Sequence, residues 1–199
     1  MTDDDDDLNR IHAEAAASSA MNAAAFAWVE HLRANDAEAV WASMDPDFRL
    51  AYAQHWIVAN SPQVLADPTV RGLTSDAFAQ RMADPRAGHP LWPHLARLVR
   101  RDLCGQTLAN VGGPDRELGI GTRPRPLAPG LELVRLIPLD AVPQDASGMH
   151  VFRDRQTVET VTLVMREQPD GAWAVAGVGH AMLLPGWPPE TRTVASETD

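Results

Sequence analysis

The sequence of 199 residues lacks lysine, has one cysteine and one tyrosine, and contains no long apolar run. The lone cysteine, Cys104, excludes an internal disulfide framework and a thiolate zinc site. The longest apolar candidate spans residues 23–29 and is rich in alanine. It is much shorter than the roughly 20 residues that cross a bilayer. These absences predict one ordinary globular domain without a membrane partner.

Negative charge is concentrated at the two ends of the chain, whose net charge is −10. The five aspartates at residues 3–7 carry −5 and residues 190–199 carry −2, which leaves −3 for the body of the chain. Proteins bind nucleic acid largely through basic patches that release counterions from the phosphates. The central part of this chain has no excess of basic residues, so we expect no nucleic-acid partner. The acidic start is the opposite of a positively charged secretory leader, and we therefore expect a cytoplasmic protein.

The composition divides the chain into three segments. We expect residues 1–10 to be a disordered acidic tail, because five like charges repel and little apolar surface offsets the ordering entropy. Residues 11–187 are predicted to form a single domain. Residues 188–199 offer little that packs, so we expect a loose carboxyl-terminal tail.

The amino-terminal half has the spacing of amphipathic helices. One apolar stripe is formed by Met21, Ala25, Trp28, Val29 and Leu32. The run Asp45-Pro46-Asp47 predicts a helix start, because Asp45 can cap the first N–H groups and proline suits the first helical position. Phe48, Tyr52 and Trp56 then follow at four-residue spacing, which predicts that this helix also buries one face.

The carboxyl-terminal half is rich in turn residues and in alternating valine and threonine. Strands are predicted at residues 131–137, 149–153, 158–167 and 172–179. The run Gln168-Pro169-Asp170-Gly171 has the residues of a tight turn and joins the last two strands as a hairpin. Helices first and strands afterwards are typical of an α+β fold.

Two segments of the chain resemble nuclear transport factor 2-like proteins, a group that includes ketosteroid isomerase-like and polyketide cyclase-like members. Residues 21–50, from the first helix to Met44-Asp45-Pro46-Asp47-Phe48, resemble the opening of these proteins. Residues 157–180, with the Pro-Asp-Gly turn and Trp173-Ala174-Val175, resemble their closing hairpin. The resemblance implies N-terminal helices packed on a curved antiparallel sheet, a cone-like shape with a pocket at its open end, and a homodimer.

A cluster of polar and aromatic residues on the third helix is the best candidate site. Tyr52 and His55 are three residues apart and share a helix face. We predict that both are catalytic, since histidine exchanges protons near neutral pH and a phenol can donate to a carbonyl or oxyanion oxygen. Asp47, Trp56 and His180 are predicted to bind the ligand. The alternative is a half-buried aromatic belt whose polar tips meet water or backbone.

The sequence lacks the common motifs for binding phosphates, dinucleotides or metal ions and for nucleophilic catalysis. No phosphate-binding loop, dinucleotide fingerprint or nucleophile elbow is present, and we expect no cofactor. His89 and His94 are five apart, which is wrong for a helical metal pair, so no metal site is predicted. The basic face formed by Arg97, Arg100 and Arg101 is either solvated or binds an anionic ligand or partner, and the sequence leaves its role open.

These observations favour a small-molecule-binding protein whose pocket holds a largely apolar ligand, with isomerase-, cyclase- or dehydratase-type proton transfer as its chemistry. The alternative is a non-catalytic dimeric accessory or regulatory module whose core is filled by its own side chains. The six tryptophans and seven methionines suit a filled core as well as a pocket. Whether the protein is an enzyme therefore stays open at this stage.

Overall fold

The computed structural model describes residues 3–86, 88–110, 113–120, 124–148, 150 and 160–194, and for residues 3–15 it describes the backbone alone. Within these ranges, no helix combines the length and the apolar character needed to cross a bilayer. The strand predicted at residues 149–153 lies outside the described residues, apart from His150, which forms an isolated bridge with Gln144.

Helices occupy the amino-terminal half, as the spacing predicted. The α-helices are α1 (Asp3–Arg33), α2 (Ala37–Ala42), α3 (Pro46–Ala59), α4 (Ser61–Ala66), α5 (Ser75–Ala83), α6 (Trp92–Val99) and α7 (Thr107–Ala109). A 3-10 turn spans Pro68–Val70 and another spans Leu139–Ala141. Between α6 and α7 the backbone widens into a π-helix, Arg100–Gln106.

Side-chain caps fix the starts of three helices. The Asp36 carboxylate accepts from the backbone N–H groups of Glu38 and Ala39 at the start of α2. Asp45 does the same for α3, with Pro46 at the first helical position, and Thr74 caps α5. The predicted start at Asp45 is therefore confirmed, because a carboxylate there satisfies N–H groups that have no partner within the helix.

Within the described residues, seven strands form one antiparallel sheet. They are β1 (Leu118–Ile120), β2 (Arg125–Ala128), β3 (Leu131–Pro138), β4 (Val161–Glu167), β5 (Trp173–Val178), β6 (Ala181–Leu184) and β7 (Glu190–Thr193). The order across the sheet is β1-β3-β4-β5-β6-β7, and β2 pairs with the first residues of β3 beside β1. The predicted hairpin through residues 168–171 joins β4 to β5, with register pairs from Glu167↔Trp173 to Leu163↔Val178.

The sheet is curved, and two features of β5 contribute to its bend. The register between β4 and β5 shifts between Val164 and Met165, a bulge that bends the strand. Gly177 lets β6 fold back closely, since a Cβ built there would lie 2.7 Å from the carbonyl oxygen of Ala181. The turn that follows places Gly179 at φ +77°, a conformation that glycine adopts without steric cost.

The main hydrophobic core lies between the helices and one face of the sheet. The predicted stripe of α1 is fully buried, and α1 packs against β4 and β5. Val161, Leu163 and Met165 of β4 join this core. Thus the structure confirms the predicted α+β fold, in which N-terminal helices pack on a curved antiparallel sheet. The opposite face of the sheet carries a second, smaller cluster around Val164 and Met182.

The described parts of both predicted tails differ from the prediction, and residues 1–2 and 195–199 lie outside the described residues. Helix α1 begins at Asp3, so the backbone of residues 3–10 is helical instead of disordered. Carboxylates in the first turns of a helix interact favourably with its dipole, and the alanines that follow have high helix propensity. In the tail at residues 188–199, Glu190–Thr193 pair with β6 as β7. Backbone pairing at a sheet edge needs no apolar side chains.

Candidate functional site

A cleft of about 840 Å³, open to solvent on one side, lies between the helices and the end of the sheet where β5 turns into β6. We call it the main cleft. It is lined by Tyr52, His55, Arg101, Asp102, Leu103, Gln106, Thr107, Asn110, Thr160, Val161, Thr162, Val178, Gly179, His180, Leu183, Pro189 and Thr191. Five of these residues are aliphatic, so the lining is more polar than the largely apolar pocket that the sequence predicted.

Tyr52 on α3 presents a buried phenol to the main cleft. Its ring is 8% exposed and makes edge contacts with Trp41 and Phe48, with centroid distances of 6.0 and 6.1 Å. Among the described residues the hydroxyl group makes no hydrogen bond of ordinary geometry, although the Asp102 carboxylate lies close enough to interact with it. Burial raises the pKa of Tyr52 above its ordinary value, and the nearby carboxylate of Asp102 raises it further. The phenol therefore stays protonated and can donate a hydrogen bond to a ligand.

His55 stands one turn after Tyr52 and is exposed at the mouth of the main cleft. A spacing of three residues brings the two side chains to neighbouring positions on the helix surface. The imidazole is the side chain best suited to take up and return a proton near neutral pH. The pair thus combines a hydrogen-bond donor, Tyr52, with a group that can move protons.

An ion pair from the π-helix borders the same cleft. Arg101 donates to both carboxylate oxygens of Asp102, with Nε–Oδ1 and Nη2–Oδ2 distances of 2.5 and 3.1 Å. This fork holds the carboxylate in a fixed orientation. Gln106, five residues after Arg101, lines the cleft as well. Residues five apart share a face in a π-helix, whose hydrogen bonds join positions i and i+5.

His180 lies on the opposite side of the main cleft, in the turn between β5 and β6. Its ring is exposed, whereas its backbone carbonyl accepts from the N–H of Val194 at 2.7 Å. The curvature of the sheet brings this turn towards α3. The structure therefore brings together three of the residues predicted for the site, Tyr52, His55 and His180.

Asp47 and Trp56 do not line the main cleft. The Asp47 carboxylate accepts from Nη1 of Arg166 at 2.8 Å. Asp47 precedes Tyr52 by five residues, which separates the two by about 140° around the helix. Trp56 is buried and lines a neighbouring cavity of about 680 Å³, which we call the side trough. The predicted ligand-binding roles of both residues remain predictions, and Asp47 has a different partner.

Sequence reasoning missed several residues of the main cleft that lie after α6. Asp102 and Gln106 belong to the π-helix, and Thr107 and Asn110 follow it on α7 and at its end. One signal was available, because Asp102 is a carboxylate that directly follows the basic run ending at Arg101. Nothing in the local pattern indicated that the helix would widen there and turn that carboxylate towards Tyr52.

Cys104 also belongs to the π-helix and carries a thiol, which is a potential nucleophile. The thiol is buried, and burial raises its pKa above the ordinary value. A thiol of this kind is packed and unreactive. Within the described residues, no three His, Cys, Asp or Glu side chains cluster closely enough to hold a metal ion.

Compared with known proteins, the chain matches no family model, and no curated protein or solved structure is significantly similar to it. The interpretation of the site therefore rests on its own geometry.

Proposed function

We propose that the main cleft binds a small ring-containing molecule through the buried hydroxyl group of Tyr52, and that His55 transfers a proton to and from the bound molecule. The observation that carries this proposal is the hydroxyl itself, a buried group on a residue that lines the cleft, which makes no hydrogen bond of ordinary geometry among the described residues. A buried polar group is costly unless something pairs with it. A ligand oxygen that accepts from Tyr52 supplies the missing partner.

The proposed chemistry is proton transfer next to a carbonyl group, as in isomerase, cyclase or dehydratase reactions. The proton leaves the carbon beside the carbonyl and binds a ring nitrogen of His55. The electron pair of the broken bond moves to the carbonyl oxygen, which accepts a hydrogen bond from the protonated phenol of Tyr52. The return of the proton to a second carbon completes an isomerisation.

The proposed ligand has an apolar ring and several hydrogen-bonding groups. Leu103, Val161 and Leu183 offer apolar contacts, whereas threonine hydroxyls and the amides of Gln106 and Asn110 offer polar ones. Side chains of this mixture orient a ligand by a few polar contacts on an apolar surface. The proposed ligand is therefore more polar than the largely apolar ligand that the sequence predicted.

We propose the nuclear transport factor 2-like family as the structural relationship. The order of elements supports it, since helices are followed by a curved antiparallel sheet with a cleft between the two layers. The cone-like shape, the homodimer and the cytoplasmic location belong to the same proposal. Light scattering on the purified protein tests the homodimer, and a monomeric mass at all protein concentrations contradicts it.

The alternative function is a non-catalytic accessory or regulatory module. One observation favours it, because the space between the layers is filled by large side chains such as Trp28, Trp41 and Met44. The main cleft then lies at the rim of a solid core. Ligand binding without turnover, or no ligand binding at all, distinguishes this function from the enzyme.

The test uses thermal-shift measurements with naphthol, naphthylacetamide and cyclohexenone as probes. We expect at least one probe to raise the melting temperature of the wild-type protein and Tyr52→Phe to abolish the shift. Ser147→Ala removes a hydroxyl group that lines neither cavity and serves as the matched control. Conversion of the non-conjugated isomer of cyclohexenone in D₂O, followed by NMR, measures proton transfer. We expect Tyr52→Phe to slow it by about 100-fold or more.

Two results contradict the proposal. If no probe stabilises the protein, the accessory module becomes the better interpretation. If Tyr52→Phe binds and converts the probes as the wild-type protein does, the phenol has no role in the cleft. His55→Gln separates the two halves of the proposal, because it is expected to stop conversion while leaving the thermal shift in place.

A further inference from the structure

The side trough adjoins the main cleft on the outer face of α3. Its lining includes the titratable side chains of His55, Asp67, His94, Arg97 and Arg101. Two of these residues, His55 and Arg101, line the main cleft as well. The two cavities therefore adjoin at these two side chains.

Arg97 is the cation of the side trough that no carboxylate neutralises within the described part of the chain. Its guanidinium group donates to Nδ1 of His94 at 2.8 Å and to the carbonyl oxygen of Pro93 at 3.4 Å. Both acceptors are neutral, and they hold the side chain along α6. The second cation, Arg101, is already paired with Asp102. A guanidinium group with donors to spare is suited to bind an anion.

The contact with Arg97 also fixes the tautomer of His94. Arginine donates hydrogen bonds and does not accept them, so Nδ1 of His94 must be the acceptor. In the neutral ring the proton then resides on Nε2. His94 thereby adds an N–H donor to the part of the trough where Arg97 lies.

One carboxylate, Asp67, lines the side trough together with these donors. Its oxygen Oδ1 accepts from the backbone N–H and the hydroxyl group of Thr69, at 2.8 and 2.5 Å. These hydrogen bonds hold the pKa of Asp67 below its ordinary value, so the side chain stays ionised. Asp67 lies beyond the end of α4, whereas Arg97 lies on α6. The charge of Asp67 also interacts with His94, so an anion that binds to Arg97 has this carboxylate as a neighbour in the same trough.

We propose that the side trough binds the anionic group of an organic anion whose ring lies in the main cleft. This inference rests on the proposed function and specifies its substrate class. Trp56, Val64 and Leu98 give the trough an apolar floor for the connecting part of the ligand. Arg97 and the N–H of His94 bind the anionic group, which is a carboxylate or a phosphate. The basic face, whose role the sequence left open, thus has a proposed binding role at Arg97.

The test compares three probes with the same ring: naphthylacetate, neutral naphthylacetamide and naphthyl phosphate. Calorimetry on the wild-type protein is expected to show about tenfold tighter binding of an anionic probe than of the amide. The preference is expected to shrink in about 0.5 M salt, because screening weakens contacts with a partly exposed cation. The two anionic probes distinguish a carboxylate ligand from a phosphate ligand.

Arg97→Gln is expected to remove the preference for the anionic probes while leaving the affinity for the amide unchanged. Arg100→Gln is the matched control, since Arg100 is an exposed arginine of the same basic face that lines neither cavity. Asp67→Asn is expected to tighten the binding of the anionic probes severalfold, because it removes the negative charge from the trough.

The outcomes separate this inference from the proposed function. Equal affinity of the wild-type protein for amide and anions, or equal effects of Arg97→Gln and Arg100→Gln, overturns the anion site. Loss of amide binding in Tyr52→Phe tests the main cleft independently of Arg97. If none of the three probes binds the wild-type protein, both proposals fail together.

Discussion

Tyr52 combines a well-packed ring with an unsatisfied hydroxyl group. Its ring packs against Trp41 and Phe48 in the main core, and the residue lines the main cleft. An unpaired buried hydroxyl costs about 1–3 kcal/mol of stability. A protein tolerates such a cost where a site needs a polar group, since function and stability compete there. The sequence could place Tyr52 on a buried helix face, but it could not show that the hydroxyl is without a partner.

The ionisation of Tyr52 gives a direct test, because the chain has one tyrosine. Burial and Asp102 raise its pKa in the folded state. The folded protein is therefore expected to keep the phenol protonated above about pH 10, where tyrosine ionises in an unfolded chain. Its contribution to stability is present below that pH and is lost as the pH rises through the folded pKa. The ultraviolet absorbance of tyrosinate, with and without urea, measures the difference.

The control for this titration is the urea-unfolded chain, in which the tyrosine should ionise at its ordinary pKa. A probe that accepts a hydrogen bond from the phenol should delay ionisation further. Ionisation of the native protein at the same pH as the unfolded chain would show that Tyr52 is solvated, and the assigned donor role would then fail.

Asp45 is a second residue whose contacts are expected to contribute measurably to the free energy of unfolding. It is 3% exposed, caps α3 through the N–H groups of Asp47 and Phe48, and accepts from Arg166 and Gln168 of the sheet. We expect Asp45→Ala to lower the free energy of unfolding by about 2–3 kcal/mol. The cap accounts for about 1 kcal/mol of this, and the lost hydrogen bonds from Gln168 and from Arg166, which keeps its contact with Asp47, account for the rest. Urea unfolding measures the loss.

The matched control is Asp36→Ala, which removes an exposed cap from α2 whose carboxylate has no hydrogen-bond partner beyond that helix in the described part of the chain. Its expected cost is about 1 kcal/mol. Equal losses for the two variants would show that the link from Asp45 to the sheet is energetically neutral. The sequence predicted the capping role of Asp45, whereas its pairing with Arg166 depended on the tertiary fold.

Among the elements, the π-helix Arg100–Gln106 is the one that shapes the site. Its wider turn carries Asp102 and Gln106 to the main cleft while Leu103 and Cys104 remain buried. The helix starts were predictable, because caps are local signals at fixed spacing. A π-helix has no comparable local signal. It forms where the side chains before and after it must pack against different neighbours, and a regular α-helix would not point both sets in the required directions.

The close approach of β6 to β5 at Gly177 predicts the effect of a substitution there. An alanine at Gly177 would bring its Cβ within 2.7 Å of the Ala181 carbonyl oxygen and 3.3 Å of Met182 Cγ. Because the nearer contact is backbone, we expect Gly177→Ala to destabilise the fold by about 1–3 kcal/mol. The displaced turn carries His180, so probe binding in the main cleft should weaken as well. Urea unfolding and the thermal shift measure both effects.

Gly105→Ala is the control for this substitution. Its Cβ would meet the carbonyl oxygen of Arg100 at 3.5 Å, an ordinary contact. Alanine in a helical position is expected to stabilise the protein by about 0.5–1 kcal/mol, because the unfolded chain loses freedom. Destabilisation by Gly105→Ala equal to that by Gly177→Ala would contradict the steric explanation.

The molecule as a whole has a main core that joins the helices to the sheet without interruption. We therefore expect one cooperative unfolding transition. Tryptophan fluorescence reports on both layers, because Trp28 and Trp41 lie in helices and Trp173 lies in β5. Its urea transition should coincide with the one measured by far-ultraviolet circular dichroism. Two separated transitions would show that the helices and the sheet unfold independently.

The sequence by itself determined the order of helices and strands, the capped helix starts, the apolar stripe of α1 and the hairpin before β5. Each of these depends on residues close together in the chain, whose spacing fixes which face of an element is apolar. The tertiary structure decided that Tyr52 and His180 share a cleft, that Asp102 joins them, and that Asp47 pairs with Arg166. Distances between elements depend on strand register, sheet curvature and the widened helix, and local spacing carries no information about these.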